Sequence, residues 1–283
     1  MPSEDPTQSK SRRRKWTGKF NSRYESIIGN LNDEFRGGSE FRPQNDVEES
    51  LQTADFREWF EHQLEDEVVE PLPQRAVRNG SHYTADYVEE FYNTGLRLAD
   101  EDIRQAGADI PDVPPEDVAS SDLHQEKLRA EYVEVYQELE DITRETERQA
   151  TREYRDAVGA GATLAATLAT LKDRVRKVGE TRTKNLAHSY GTRIVNDAIV
   201  ERAAELGIEE VGVDVETDLE TEITLDGEEL QEWAAVLDEA TCDQCRALHG
   251  NAYKSSDIRN GDAPRPVDDT HAHCRCRYII VQI

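Results

Sequence analysis

All four cysteines of the chain fall near its C-terminus, as Cys242-x-x-Cys245 and Cys274-x-Cys276, with His271 and His273 directly before the second pair. These are soft, metal-ligating side chains. A Cys-x2-Cys turn aims two thiolates at one point, as a tetrahedral zinc ion with Zn–S bonds of about 2.3 Å requires. On a strand, Cys274 and Cys276 would face the same way and reach the same ion. The candidate ligands are therefore Cys242, Cys245, Cys274 and Cys276, with His271 as the substitute for Cys276. His249 and His273 read as surface or supporting residues. The stretch 246–270 is polar, carries Pro264 and Pro266, and needs a staple to fold firmly. Structural Zn2+ is the reading the spacing favours. Two disulfides, in any of three connectivities, or a redox pair are the alternatives. No secretion signal argues for the disulfides, and no βαβ context argues for the redox pair. A catalytic zinc would keep an open position beside a general base. Asp238, Glu239, Asp268 and Asp269 are near in sequence, but carboxylates are too common here to mark one. No catalytic residue is assigned.

The elements that position this cluster are mostly helical. Phe56, Trp59, Phe60, Leu64 and Val68 recur at helical spacing, and Pro71 and Pro73 should end that helix. A helix follows over about 84–106, with Val88, Phe91, Tyr92, Gly95, Leu98, Ala99 and Ile103 on one face. Residues 107–122 hold three prolines and read as a linker. Leu128, Tyr132, Val135, Leu139 and Ile142 then form a narrow seam along a long helix, suited to pairing with another. Leu164 to Val178 continue the pattern, and a further helix is expected over about 185–206, capped by Gly207. After it the stretch 208–230 alternates acidic and β-branched residues like a small hairpin. "EELQEWAAVLDEA" reads as a short helix or turn, and "RCRYIIVQI" as a strand. The fold class is α+β: long helices followed by a small C-terminal α+β module. The expected divisions are 1–54 (basic arm and short helix), 55–106 (helical), 107–122 (linker), 123–206 (long helices) and 207–283 (the metal-binding module).

Sixty acidic residues against 34 basic ones give a net charge of −26 over 283 residues. Disorder would be one outcome of such a composition, but the helical periodicity opposes it. The other is a protein made for a salty cytoplasm, where charge is screened within about 3 Å at 1 M salt. No segment reaches the roughly 20 apolar residues that span a membrane. Residues 1–23 depart from the rest, with seven basic residues against Glu4 and Asp5. Arg12, Arg13, Arg14 and Lys15, with Trp16, are the candidate partner-binding residues. Such a basic arm suits nucleic acid or an acidic protein surface.

The order Trp233, Asp238, Thr241-Cys242-x-x-Cys245, Leu248, Gly250, a proline-bearing loop, and His271-x-x-Cys274-Arg275-Cys276 resembles the phage Mu F-like head morphogenesis (minor head protein) family of tailed viruses. The resemblance covers roughly 160–283. Three departures stand out. Ala272 replaces the proline that usually follows the histidine, and His273 replaces a small polar residue. Ala187-His188-Ser189-Tyr190 stands where many members carry "ARTE". Some relatives have been likened to ADP-ribosyltransferases, and the missing arginine and glutamate argue against that activity here. The resemblance implies a non-enzymatic minor head protein in the virion, at the capsid interior or near the portal, present in the host cytoplasm during assembly. It would act in head assembly, or in genome packaging or delivery. Its partners would be the portal protein, the major capsid protein or both, with packaged double-stranded DNA as a partner for the arm and no membrane contact. With the acidic composition, it points to a virus of a haloarchaeal host. The alternatives are an ADP-ribosyltransferase-like enzyme and a zinc-dependent nucleic-acid-binding protein.

Overall fold

Trp16, Phe20, Tyr24, Ile27, Ile28, Leu31 and Phe35 step by three and four residues, and each is buried. That stripe builds helix α1, Lys10–Arg36, in the computed structural model, which describes residues 5–36, 49–206, 230–235 and 241–281. Residues 10–23 of the basic segment are thus the first half of a long packed helix rather than a free arm. Its aromatic residues gain more from burial, about 1.5–3 kcal/mol for a large apolar side chain, than its charges lose by being fixed.

The remaining helices are α2 (Glu49–Leu64), α3 (Gln74–Arg78), α4 (Ala85–Gln105), α5 (Pro115–Ala119), α6 (Asp122–Gly159) and α7 (Leu164–Glu205). The first predicted helix ends before its prolines. After α2 a π-helical turn, Glu65–Val69, closes with Glu70 in the left-handed region, φ 46°. The seam residues of α6 are all buried. The two helices expected after residue 160 are one 42-residue helix, α7. The proline-rich stretch 107–122 is not a boundary. Ile110, Val118 and Ala119 are buried, and Pro115 opens α5 at the position where its missing N–H costs nothing.

The chain divides into two compact units. One is Met1–Arg13, Ala85–Glu131 and His188–Ile283; the other is Arg14–Thr84 and Tyr132–Ala187. The boundaries follow packing rather than the linear divisions read from composition, so α1, α6 and α7 each contribute to both. In the second unit, Phe56 stacks on Tyr154 with centroids 4.2 Å apart and on Phe60 at 5.6 Å. In the first unit α4 and α7 approach closely. A Cβ on Gly95 would lie 2.4 Å from the Val195 carbonyl oxygen, and one on Gly191 would lie 2.8 Å from the Phe91 ring. Arg202 of α7 pairs with Asp100 of α4 at 2.7 Å, both buried, and also donates to Glu205 at 2.5 Å. The buried His124 bridges the Tyr92 hydroxyl and the Glu205 carboxylate.

The strands are β1 (Leu230–Ala234), β2 (Ala252–Lys254) and β3 (Arg277–Val281), antiparallel in the order β2-β1-β3, with short helices α8 (Asp243–Leu248) and α9 (Ser255–Asn260) between them. Residues 230–234, expected as helix or turn, are the central strand. Pairing on both edges, and Trp233 buried edge-on against Tyr278 at 5.7 Å, override local propensity. The expected terminal strand is β3. The hairpin expected over 208–230 lies, up to residue 229, outside the described residues, as does the Gly207 cap. No helix among the described residues is long and apolar enough to cross a membrane.

Candidate metal centre

The first half-site is built at a helix start. Cys242 is the N-cap of α8, and its sulfur accepts the Cys245 N–H at 3.3 Å. The knuckle is tied to the sheet behind it: Gly250 N–H donates to the Trp233 carbonyl and Trp233 N–H to that of Asn251. His249 is occupied there, its Nδ1 accepting the Ala235 N–H at 3.1 Å.

The second half-site is a turn held from several sides. Gln244 donates to the Asp269 carbonyl, and the Asp269 carboxylate accepts the Arg265 N–H at 2.7 Å. Arg265 in turn holds the Ile258 carbonyl. Cys274 N–H closes the turn on the His271 carbonyl at 2.9 Å. Val267 has φ 77°, a region costly for a β-branched residue, and its N–H donates to the Thr270 hydroxyl at 3.0 Å.

The two half-sites meet at Cys245. Its sulfur lies 3.4 Å from His271 Nε2 and 3.8 Å from the Cys274 sulfur. Cys242, Cys245 and His271 form one group whose donor atoms all lie within 4.8 Å of one another, and Cys245, Cys274 and Cys276 form another. No disulfide joins any of the four cysteines. Tetrahedral zinc with bonds of about 2.3 Å to sulfur and 2.0–2.1 Å to nitrogen has S···S edges of about 3.8 Å and S···N edges of about 3.6 Å. Both observed edges fit. The electrostatics fit as well. Hydrogen bonding, led by the Cys276 thiol, lowers the Cys274 pKa to about 5. Burial raises Cys245 to about 12, and the Cys274 contact followed by burial raises Cys276. One negative charge is thus tolerated, and a bound cation is what would ionise further thiols.

One face of α7 carries this loop. Ser189 Oγ donates to the Ala272 carbonyl at 2.7 Å, Thr192 Oγ1 to that of Cys274 at 3.1 Å, and Asn196 Nδ2 to that of Cys276 at 3.2 Å. Asn196 Oδ1 also accepts the Tyr278 N–H at 2.9 Å. The His188 ring meets His273 edge-on at 5.3 Å. Burial first, then Arg13 and His273, lowers the His188 pKa to about 3. The "ARTE"-equivalent stretch is therefore part of a cradle. Its neighbour Tyr190 lies beneath the Arg193 guanidinium at 4.3 Å. The sequence reading did not single out Thr192 and Asn196. The available signal was two polar residues four apart, among the apolar Ala187, Val195, Ala198 and Ile199.

The five predicted ligands are thus brought together. The predicted partner-binding residues divide. Arg13 is buried, pairs with Asp5 at 3.1 Å and donates to Thr192 Oγ1 at 3.4 Å. Trp16 is 0% exposed and packs on Phe20. Arg12 is half-buried, donating to the Gln8 carbonyl, and Arg14 and Lys15 are exposed. Asp268 is raised by burial. Asp238 and Glu239 lie outside the described residues.

Residues 148–279 match the family model of Phage Mu protein F like protein. The match covers a little under half of the chain and takes in the end of α6, the whole of α7 and all five candidate ligands. No curated protein and no solved structure matches the chain.

Proposed function

We propose that the chain is a minor head protein of a tailed virus, a non-enzymatic component of the capsid interior or portal vicinity. It acts in head assembly or in genome packaging and delivery, and passes through the host cytoplasm during assembly. The observation that carries this reading is the family match over 148–279, which spans both the Cys/His cluster and the helix that carries it. Structural Zn2+ closes the C-terminal module, because Cys245 stands at zinc-like separations from His271 and Cys274 and the loop carbonyls of Ala272, Cys274 and Cys276 are held by α7. The partners are portal protein, major capsid protein or both. Arg12, Arg14 and Lys15 give the N-terminal segment a positive face for an acidic subunit or packaged DNA, while Arg13 and Trp16 hold that segment in place. The net charge of −26 suits a haloarchaeal host, since molar salt screens the self-repulsion. A mass-spectrometric inventory of purified particles tests the reading. The chain should be present at a fixed copy number in heads. Its absence from particles that are complete and infectious would overturn the assignment.

A further inference from the structure

We propose that the outer face of α6, with the neighbouring edge of α2, binds the phosphate backbone of double-stranded DNA without reading its sequence. The proposal rests on the reading that the chain works in a virus head, where packaged duplex is the partner at hand.

The sequence marks the place. Residues 144–184 hold ten basic residues against six acidic ones, in a chain with 60 acids and 34 bases. They form the end of α6 and the first half of α7. In α6, Ile142, Thr146, Ala150 and Tyr154 are buried, and Phe56 of α2 stacks on Tyr154. The helical period turns Arg144, Arg148, Arg152 and Arg155 the other way, and all four are exposed. Successive members of this row rise by about 5–6 Å, so it runs for about 16 Å along the helix. With the exposed Arg57 of α2 they line an open groove of about 690 Å3.

Three carboxylates share that groove, those of Glu61, Glu145 and Glu147. Arg148 pairs with Glu145 at 2.7 Å and Arg57 with Glu147 at 2.8 Å. At the two ends of the row, Arg144 pairs with Asp141 and Arg155 with Asp156. Ion pairs of exposed arginines contribute little to stability, whereas a phosphate takes a guanidinium through two parallel hydrogen bonds. Arg152, in the middle of the row, has no acidic partner among the described residues.

The lining selects the partner. Apart from the charged groups it consists of Gln149 and Thr151. A protein would be anchored by apolar or aromatic side chains at the centre of the patch, and none of the lining residues is of that kind. Single-stranded nucleic acid would call for aromatic platforms on which its bases stack, which the same lining lacks. Arginine, glutamine and threonine are donors to phosphate oxygens, and such contacts position a duplex without specifying its sequence.

Fluorescence anisotropy on the full-length protein tests this with a duplex of about 30 base pairs, in a salt series that descends to the lowest concentration at which circular dichroism shows each chain folded. The unmutated chain should bind, and more weakly as salt rises. The triple change Arg148→Gln, Arg152→Gln, Arg155→Gln should weaken binding at least 10-fold and lower the slope of log affinity against log salt by about 2–3, since each lost phosphate contact removes about 0.9. Removing the same charge elsewhere, by Arg75→Gln, Arg129→Gln and Arg246→Gln together, should change that slope by less than about 1. No binding by the folded unmutated chain, equal effects of the two triple changes, or a single strand of the same length bound as tightly as the duplex would overturn the proposal. Binding of polyglutamate in place of the duplex would assign the groove to an acidic protein surface and overturn it as well. Each of these outcomes leaves the particle inventory untouched, so the minor-head-protein reading stands or falls separately.

Discussion

Thr192 donates its hydroxyl proton to the carbonyl oxygen of Cys274, 3.1 Å away. A residue in the middle of a 42-residue helix thereby fixes the backbone of a candidate metal-ligating turn 82 positions later. The same hydroxyl accepts from Arg13, so a cation from the basic N-terminal segment supports the cysteine loop at one remove.

Thr192→Val keeps the shape and deletes the hydroxyl. It leaves the Cys274 carbonyl and the Arg13 guanidinium each short of one partner, a loss of about 1–3 kcal/mol. Removing such support for a metal ligand should weaken metal affinity about 10–100-fold. Competition with a chelator would measure it, and Thr192→Ser should restore most of the loss.

Deleting residues 1–20 should destabilise the protein, because Trp16 and Phe20 are core residues and Arg13 is a buried ion-pair partner. Loss of a buried large aromatic alone costs about 3–5 kcal/mol. The triple change Arg12→Gln, Arg14→Gln, Lys15→Gln should leave the melting temperature within a few degrees and lower only retention in heads. Thermal melts and head occupancy separate the two effects.

His82 Nε2 lies 2.7 Å from the Val69 carbonyl and Nδ1 lies 2.7 Å from the Thr84 hydroxyl. The neutral ring satisfies both contacts, with Nε2–H donating and Nδ1 accepting. Burial accordingly lowers the His82 pKa below 6.5. A depressed histidine stabilises the fold above its unfolded pKa, and the contribution is lost as pH falls from about 6.5 through the folded value. His82→Gln should reduce this part of the acid sensitivity in denaturant titrations at pH 7 and pH 5.

Asp100→Asn should cost about 3–5 kcal/mol, because it leaves Arg202 buried with half its compensation gone. Buried pairs are screened far less than surface ones. The deficit should therefore persist in 1 M salt, whereas removing the exposed Arg176–Glu25 pair should have little effect at any salt. Unfolding curves at two salt concentrations check both.

The helices were legible where a stripe of large apolar residues had one period, as along α4 and α6. They were misread where charge masked that stripe. Arg12, Arg13, Arg14 and Lys15 drew the reading toward a free arm, although Trp16, Phe20 and Tyr24 mark a packed face. Strand β1 was missed because "LQEWA" has no β-branched residue, and its conformation comes from two partners distant in sequence. The Cys/His cluster was legible because cysteine is rare here and its spacing is chemically specific. The cluster's support was not. Ser189, Thr192 and Asn196 are ordinary helix residues until the loop lands on them, and only the three-dimensional packing of α7 reveals their role.

The central claim is that one metal ion closes the C-terminal module. Elemental analysis of the full-length protein, purified without added chelator, tests it most directly. The account predicts about one zinc per chain, lost on Cys245→Ser together with the thermal stability of residues 241–281. A chain that carries no metal after expression with zinc, and still protects those residues from hydrogen exchange and proteolysis, would contradict it.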